Sequence, residues 1–352
     1  MIDKVVKCIQ YAIDTHVFPG CAAAIYCAGK SYLISLGNLS YDKDSPAVTD
    51  DTIYDVASIT KAIPVSTLAL KLINDGQLHT SDKLIKYVPQ FTGFFREKIS
   101  IQHLLTQTLS FNFRLSEYKD MQSDQILGKI LSAEFSAQPG EKFYYANATS
   151  ILLGMVLEQC TGKTLDKAAA EYFFNPLNMT RTAFDTSCFD GCNIAPSEVD
   201  PWRGGVIKGE VHDESAWSLR PRIVGSAGLF STASDLLKFI RMLLEDDIYN
   251  GVRFFKPETI SLMYTNQLSG NNEFTGLGWE LNQKSFMGRY CSKSAFGKTG
   301  FTGCSIVIDP LKKVGFVLLS NHIYPHRQSS KDAINRVRCN FADNIMEAFK
   351  FF

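Results

Sequence analysis

Apolar residues at Val5, Val6, Ile9, Ile13 and Val17 recur close to helical spacing over residues 3–16, until Pro19-Gly20 breaks the pattern. A first helix is predicted there. Two apolar, β-prone runs follow, Ala22 to Ala28 and Ser31 to Leu36, joined at Gly29-Lys30 as a hairpin. A second pair, Gly303 to Ile308 and Lys313 to Ser320, turns across Asp309-Pro310-Leu311-Lys312, and the tail from about 330 to 350 is patterned as a helix. Between these ends, residues 60–75, 101–107, 124–132, 147–160 and 164–173 all repeat apolar positions at three or four. The predicted fold is α/β in the α+β sense: an antiparallel sheet from both chain ends, flanked by helices, with an inserted mainly α-helical subdomain. A single domain 1–352 is expected, divided into residues 1–60 plus 205–352 around the sheet and 61–204 as the helical part. A cleft belongs at their junction.

Composition narrows the class of function. With 45% hydrophobic and 20% charged residues the chain is neither disordered nor membrane-spanning, and no apolar run is long enough for a span. Lys plus Arg and Asp plus Glu both number 36, so no global field draws the protein to nucleic acid; a small molecule or peptide is the expected partner. Oligomeric state is left open. The start, Met1-Ile2-Asp3-Lys4-Val5-Val6-Lys7, lacks a secretory pattern, which predicts a cytoplasmic location, or a periplasmic one if the start is truncated. Nine cysteines without regular spacing read as free thiols. Cys188 and Cys192 read as a loop rather than a metal pair, and neither metal nor cofactor is expected.

Candidate chemistry begins at Ser58-Ile59-Thr60-Lys61, predicted to open the helix that runs to about Ile73. The i, i+3 spacing puts serine and lysine on one face, and the positive end of the helix dipole favours a serine nucleophile. The same S-x-x-K spacing occurs at Ser40 to Lys43 and Ser116 to Lys119, but only Ser58 has apolar flanks, Tyr54-Asp55-Val56-Ala57 and Ala62-Ile63-Pro64-Val65. On this motif alone a helix cap and a nucleophile are equal readings.

Tyr145-Ala146-Asn147 follows a Pro139-Gly140 turn at the start of another predicted helix, and Tyr264-Thr265-Asn266 shares the loose pattern. A tyrosine near two cations has its phenolate favoured and can serve as a general base, while the asparagine amide can hold a substrate carbonyl. Lys298-Thr299-Gly300 is the sole K-T-G, placed just ahead of the predicted strand that starts at Gly303. Its small residues allow a backbone N–H to face a developing oxyanion, and its lysine and threonine can address a carboxylate.

The order S-x-x-K, Y-x-N, K-T-G matches the signatures of β-lactamases and penicillin-binding proteins. With His103-Leu104-Leu105-Thr106, Pro139-Gly140, Gly228-Leu229-Phe230-Ser231-Thr232 and Asp235-Leu236, nearly the whole chain resembles the class C β-lactamase family, which also holds D-alanyl-D-alanine carboxypeptidases, esterases and transacylases. The resemblance implies Ser58 as nucleophile, Lys61 and Tyr145 sharing the proton traffic, and Lys298 supporting Tyr145 or binding a carboxylate. Asn147, Thr299, Gly300 and Phe301 would contact substrate, with the N–H groups of Ser58 and Phe301 forming the oxyanion hole. One departure is the segment after Thr106, Gln107-Thr108-Leu109-Ser110-Phe111, where the family carries a histidine and a Ser-Gly pair.

The expected activity is serine hydrolysis of an amide, β-lactam or ester carbonyl through an acyl-enzyme. An esterase or acyl transferase using the same serine is the alternative within enzymes, and an acylatable sensor is the alternative outside them. A metal hydrolase would need an H-E-x-x-H or a compact histidine cluster, which the chain lacks. Val211-His212-Asp213-Glu214 is read as a polar loop that could line the cleft.

Overall fold

Both chain ends enter one sheet. The computed structural model describes residues 2–189, 193–245, 248–249, 251–268, 274–328 and 330–349. Six antiparallel strands lie in the order Lys30–Gly37, Gly20–Cys27, Val314–Ser320, Ser305–Asp309, Phe296–Thr299 and Glu280–Leu281. At the centre the N-terminal and C-terminal parts of the chain pair directly, with Ala24 opposite Val317. The strand Gly20–Cys27 is buried throughout because both its faces are covered, which is why its sequence lacks polar alternation. Cys21, Ala23 and Ile25 pack under the helices Asp3–Asp14 and Asp332–Phe349, while Ala22, Ala24 and Tyr26 meet the larger core shared with the helix Ala233–Leu244.

That larger core continues without a break into the helical part. The helix Asn147–Thr161 buries every residue from Ala148 to Leu157, as a helix that is apolar all round must, and ends at Gly162 in the left-handed conformation. Its first residue, Asn147, thereby stands on a rigid post and bonds to Asp213 and Ser215. Among the described residues no helix is long and apolar enough to cross a membrane.

Three local expectations change. The helix predicted over 60–75 is instead a 3-10 turn, Ala57–Lys61, then a short π-helical turn, Ala62–Ser66, before the α-helix Thr67–Asn74. Ile63 has φ −116° and ψ 112°, because the ring of Pro64 excludes the helical region for the residue before it. The helix predicted over 164–173 likewise stops at Ala169 and continues as a π-helical turn. Lys298-Thr299-Gly300 does precede a strand, Ser305–Asp309, but its first two residues also end a strand of their own, Phe296–Thr299. The eight described cysteines are free, with Cys188 in a 3-10 turn, and Cys192 lies outside the described residues.

Candidate active site

Ser58 stands on a turn fixed from below. The short strand Tyr54–Asp55 pairs with Phe230–Ser231, and the chain then reverses at Ala57, whose φ of 48° is left-handed and rare for a residue with a Cβ. The buried Asp55 carboxylate holds this bend by accepting the Ala57 N–H at 2.7 Å. A 3-10 turn has three residues per repeat, so side chains at i and i+3 eclipse. Lys61 Nζ accordingly donates to Ser58 Oγ at 3.1 Å, and its second bond goes to the Ser226 carbonyl at 2.6 Å. The dipole of so short a turn is small, so the polarity around Ser58 comes from side chains rather than from a helix start.

Tyr145 is held by the residue at which the sequence departs from the family it resembles. Gln107, with φ 55°, accepts the Tyr144 N–H on its carbonyl at 2.7 Å and the Ala146 N–H on Oε1 at 3.1 Å, while Nε2 donates to Ser150 Oγ at 3.0 Å. The tyrosine is thus clamped on both flanks. Its ring centre lies 5.1 Å from Lys61 Nζ and 4.8 Å from Lys298 Nζ. Burial pushes the phenol up, but the two ammonium groups and the Ser58 hydroxyl outweigh it and hold Tyr145 below its ordinary 10.

The third element closes the cleft because glycine lets it. A Cβ on Gly300 would stand 2.4 Å from the Val56 carbonyl oxygen, so no other residue lets this strand end approach the Ser58 turn so closely. Thr302 Oγ1 adds a bond to the Asp55 carbonyl at 2.7 Å. Lys298 is nearly buried, and its Nζ donates to Glu280 Oε1 at 2.6 Å from the neighbouring strand. Burial lowers the Lys298 ammonium, yet Glu280 and Tyr145 more than compensate and raise it.

Of the segment Val211 to Glu214, residues His212 to Glu214 form the facing wall, which is tied to the serine turn. The second oxygen of Asp55 accepts the His212 N–H at 2.7 Å, and His212 Nε2 lies 2.7 Å from Glu198 Oε2. Arg327 bonds the same Glu198 carboxylate through Nε and Nη2 and reaches Glu214 through Nη1 at 2.9 Å. Burial pushes Glu198 up, but His212 and Arg327 outweigh it and bring it down to about 2. The His212 ring stacks on Phe301 at 5.6 Å. Asn147 reaches this wall too, donating from Nδ2 to Asp213 Oδ2.

A cleft of about 710 Å³ results, lined by Ser58, Tyr145, Asn147, Thr299, Gly300 and Phe301 together with the His212 to Glu214 wall. Lys61 and Lys298 stand behind Tyr145. The rival motifs do other things. Ser40 Oγ donates to Asp42, and Lys119 lies over Trp202 although Ser116 touches the cleft margin. Tyr264 stacks on Phe296, and Asn266 braces a loop through Leu268 and Thr275. Sequence reasoning missed Glu280, Glu198, Arg327 and the role of Asp55, which carry no motif; Gln107 was visible only as a departure.

The chain is similar to several known proteins. The Beta-lactamase family profile matches residues 5–338. A protein of Escherichia coli strain K12, provisionally named D-alanyl-D-alanine carboxypeptidase, is 31% identical over 309 residues, 79% of this chain and 70% of its own length. Among solved structures, EstCE1, described as a hydrolase with promiscuous acyltransferase activity, superposes with a TM-score of 0.77 at 20% identity, covering 97% of each chain. The octameric penicillin-binding protein homologue from Pyrococcus abyssi gives 0.77 at 22% identity, over 99% of this chain and 77% of that one. These two structures share the fold.

Proposed function

This chain belongs to the beta-lactamase family and is a serine hydrolase, and from that premise we propose that its acyl-enzyme forms on Ser58. The observation that carries the reading is the 3.1 Å contact of Lys61 Nζ with Ser58 Oγ beneath a tyrosine flanked by two lysines. Tyr145, as phenolate, takes the Ser58 proton while Oγ attacks the substrate carbonyl. The negative charge that develops on the carbonyl oxygen is met by the N–H groups of Ser58 and Phe301. Tyr145 then gives the proton to the leaving group, and water resolves the acyl-enzyme by the same route in reverse. Lys61 orients the serine and keeps the phenolate accessible, and Lys298 adds to the field at Tyr145.

The substrate is an amide, β-lactam or ester, with the D-alanyl-D-alanine carboxypeptidase reaction drawn from the named relative. The Lys298–Glu280 pair supports the second reading, an esterase or acyl transferase, because a lysine already bonded to a carboxylate is poorly placed to bind another. One experiment tests the serine assignment. A fluorophosphonate should add once to the protein, at Ser58, and Ser58→Ala should lose both the adduct and turnover. A stoichiometric adduct at Ser40 or Ser116 would sink the assignment. A panel of a neutral ester, a chromogenic cephalosporin and a D-Ala-D-Ala peptide then separates the two substrate readings.

A further inference from the structure

Arg338, on the last helix, is a buried cation that bonds no carboxylate among the described residues. Nη2 donates to two backbone carbonyls, those of Gly300 and Cys304, at 2.8 Å each. Nη1 donates to Asn335 Oδ1 at 3.1 Å, and Nε has no partner. Burial brings the guanidinium down to about 10, so it is still charged at neutral pH. Stability alone does not ask for such a charge, since an apolar side chain of similar volume would pack the place without the desolvation penalty.

The guanidinium holds one end of a peptide unit whose other end is open. The Gly300 carbonyl and the Phe301 N–H belong to one planar, trans peptide, so they point in opposite directions. The carbonyl end is fixed by Arg338 and, at 3.2 Å, by the Gly303 N–H. The Phe301 N–H takes no partner among the described residues. The preceding peptide is tied to the same cation, because the Gly300 N–H donates at 2.8 Å to the Cys304 carbonyl that Arg338 also holds. Gly300 and Phe301 line the cleft together with Ser58. A cation on a carbonyl oxygen draws electron density through the amide and makes its N–H a stronger donor, an effect that is largest where water is excluded.

We infer that Arg338 is a positioning residue for acylation: it fixes and polarises the Gly300–Phe301 peptide, so that the Phe301 N–H meets the negative charge developing on the substrate carbonyl oxygen. The inference rests on the proposed acylation of Ser58 with that N–H as oxyanion donor. Arg338 touches no reacting atom in this role, and it serves substrates with and without a charge alike.

Two phenyl esters that differ at one atom read the donor directly: phenyl propionate and O-phenyl thionopropionate, in which C=S replaces C=O. Sulfur is a weak hydrogen-bond acceptor, so charge that develops on it gains little from an N–H. With each kcat/KM divided by its hydroxide-catalysed rate, the oxo-to-thiono ratio therefore reports the oxyanion hole. Losing such a donor outright costs about 10²–10³-fold, so weakening one in Arg338→Met should lower the ratio by about tenfold. Arg338→Lys keeps a charge there and should lower it less. Neither ester carries an anion, so the loss cannot come from a missing contact to a substrate carboxylate. Equal losses on the two esters, or no loss on either, would show that Arg338 only packs the helix, and would overturn the inference. Should Arg338→Met not fold, Asn335→Asp decides. It is nearly isosteric, leaves Arg338 in place and gives it a carboxylate, so the melting temperature should hold while the ratio falls by about threefold, and an unchanged ratio overturns the inference. Failure of the underlying reading looks different, because it shows in the wild-type protein: no fluorophosphonate adduct at Ser58, or an oxo-to-thiono ratio no greater than that of hydroxide.

Discussion

Two lysines flank Tyr145 from different parts of the fold, and they have different company. Lys61, on the 3-10 turn, is 3% exposed and bonds two neutral oxygens, Ser58 Oγ at 3.1 Å and the Ser226 carbonyl at 2.6 Å. Lys298, on the sheet, is 4% exposed and bonds a carboxylate, Glu280 Oε1, at 2.6 Å. Their ammonium groups stand within 0.3 Å of the same distance from the tyrosine ring, at 5.1 and 4.8 Å. Proximity alone thus does not separate their roles; the partner does. A charge whose direct bonds go to neutral oxygens keeps more of its field at the phenol and the serine, with the Asp213 carboxylate as its more distant counter-charge. A charge paired with a carboxylate acts as part of a dipole, so its effect on Tyr145 is smaller and its appetite for a substrate carboxylate is partly met.

The comparison predicts its largest effect at the turn. Lys61→Ala removes both the Ser58 contact and the Lys61 field at Tyr145, and acylation should fall by about 10²–10⁴-fold, the span of general-base contributions. Tyr145→Phe should fall as far, and the double variant should cost much less than the product of the two, because groups that act as a unit are not additive. Burst kinetics with a fluorescent ester measure the acylation step directly. A Lys61→Ala rate no lower than that of Lys298→Met would break the distinction between the two lysines.

Next in size is the pH dependence. The proposed base works as phenolate, so kcat/KM rises with pH through the Tyr145 pKa, and that limb should lie below the ordinary 10 because Lys61 and Lys298 favour the charged form. Lys298→Met removes one of those charges and leaves Glu280 without its counter-ion, so the limb should move to higher pH. A limb that stays in place in Lys298→Met would show that the Lys298 charge does not reach the phenol.

How much of this was legible in the sequence differs between the two lysines. The Ser58 to Lys61 spacing is local, and a three-residue separation juxtaposes the pair in an α-helix or a 3-10 turn alike, so the pairing survived although the helix did not. Pro64 was the available signal for the break at Ile63. The strands at the two chain ends were readable because continuous apolar runs bounded by turn residues betray a sheet covered on both faces. Lys298 was readable as K-T-G, but its partner was not. Glu280 lies 18 residues earlier and meets it only through the pairing of Glu280 with Gly297 across two strands, a register that no local pattern encodes. The same holds for Asp55, whose carboxylate joins Ala57 to His212 across 157 residues.

The smallest effect tests the ion pair itself. Glu280→Gln keeps a hydrogen-bond acceptor at the same place and removes the charge, so Lys298 stays seated while its ammonium becomes free to attract another anion. Two consequences follow with opposite controls. For a matched acid and its methyl ester, the preference for the acid should rise by about fivefold, since an ion pair open to the cleft on one side is worth about 1 kcal/mol. The Glu280 side chain is 22% exposed, which is what keeps the figure so low. At the same time the carboxylate that opposed phenolate formation is gone, so the activity limb set by Tyr145 should move to lower pH, against the direction of Lys298→Met. If both variants move the limb the same way, the pair does not act on Tyr145 as a dipole. If Glu280→Gln shifts the limb down but leaves the acid and its ester equally preferred, Lys298 serves the tyrosine alone, and the cleft belongs to neutral acyl donors.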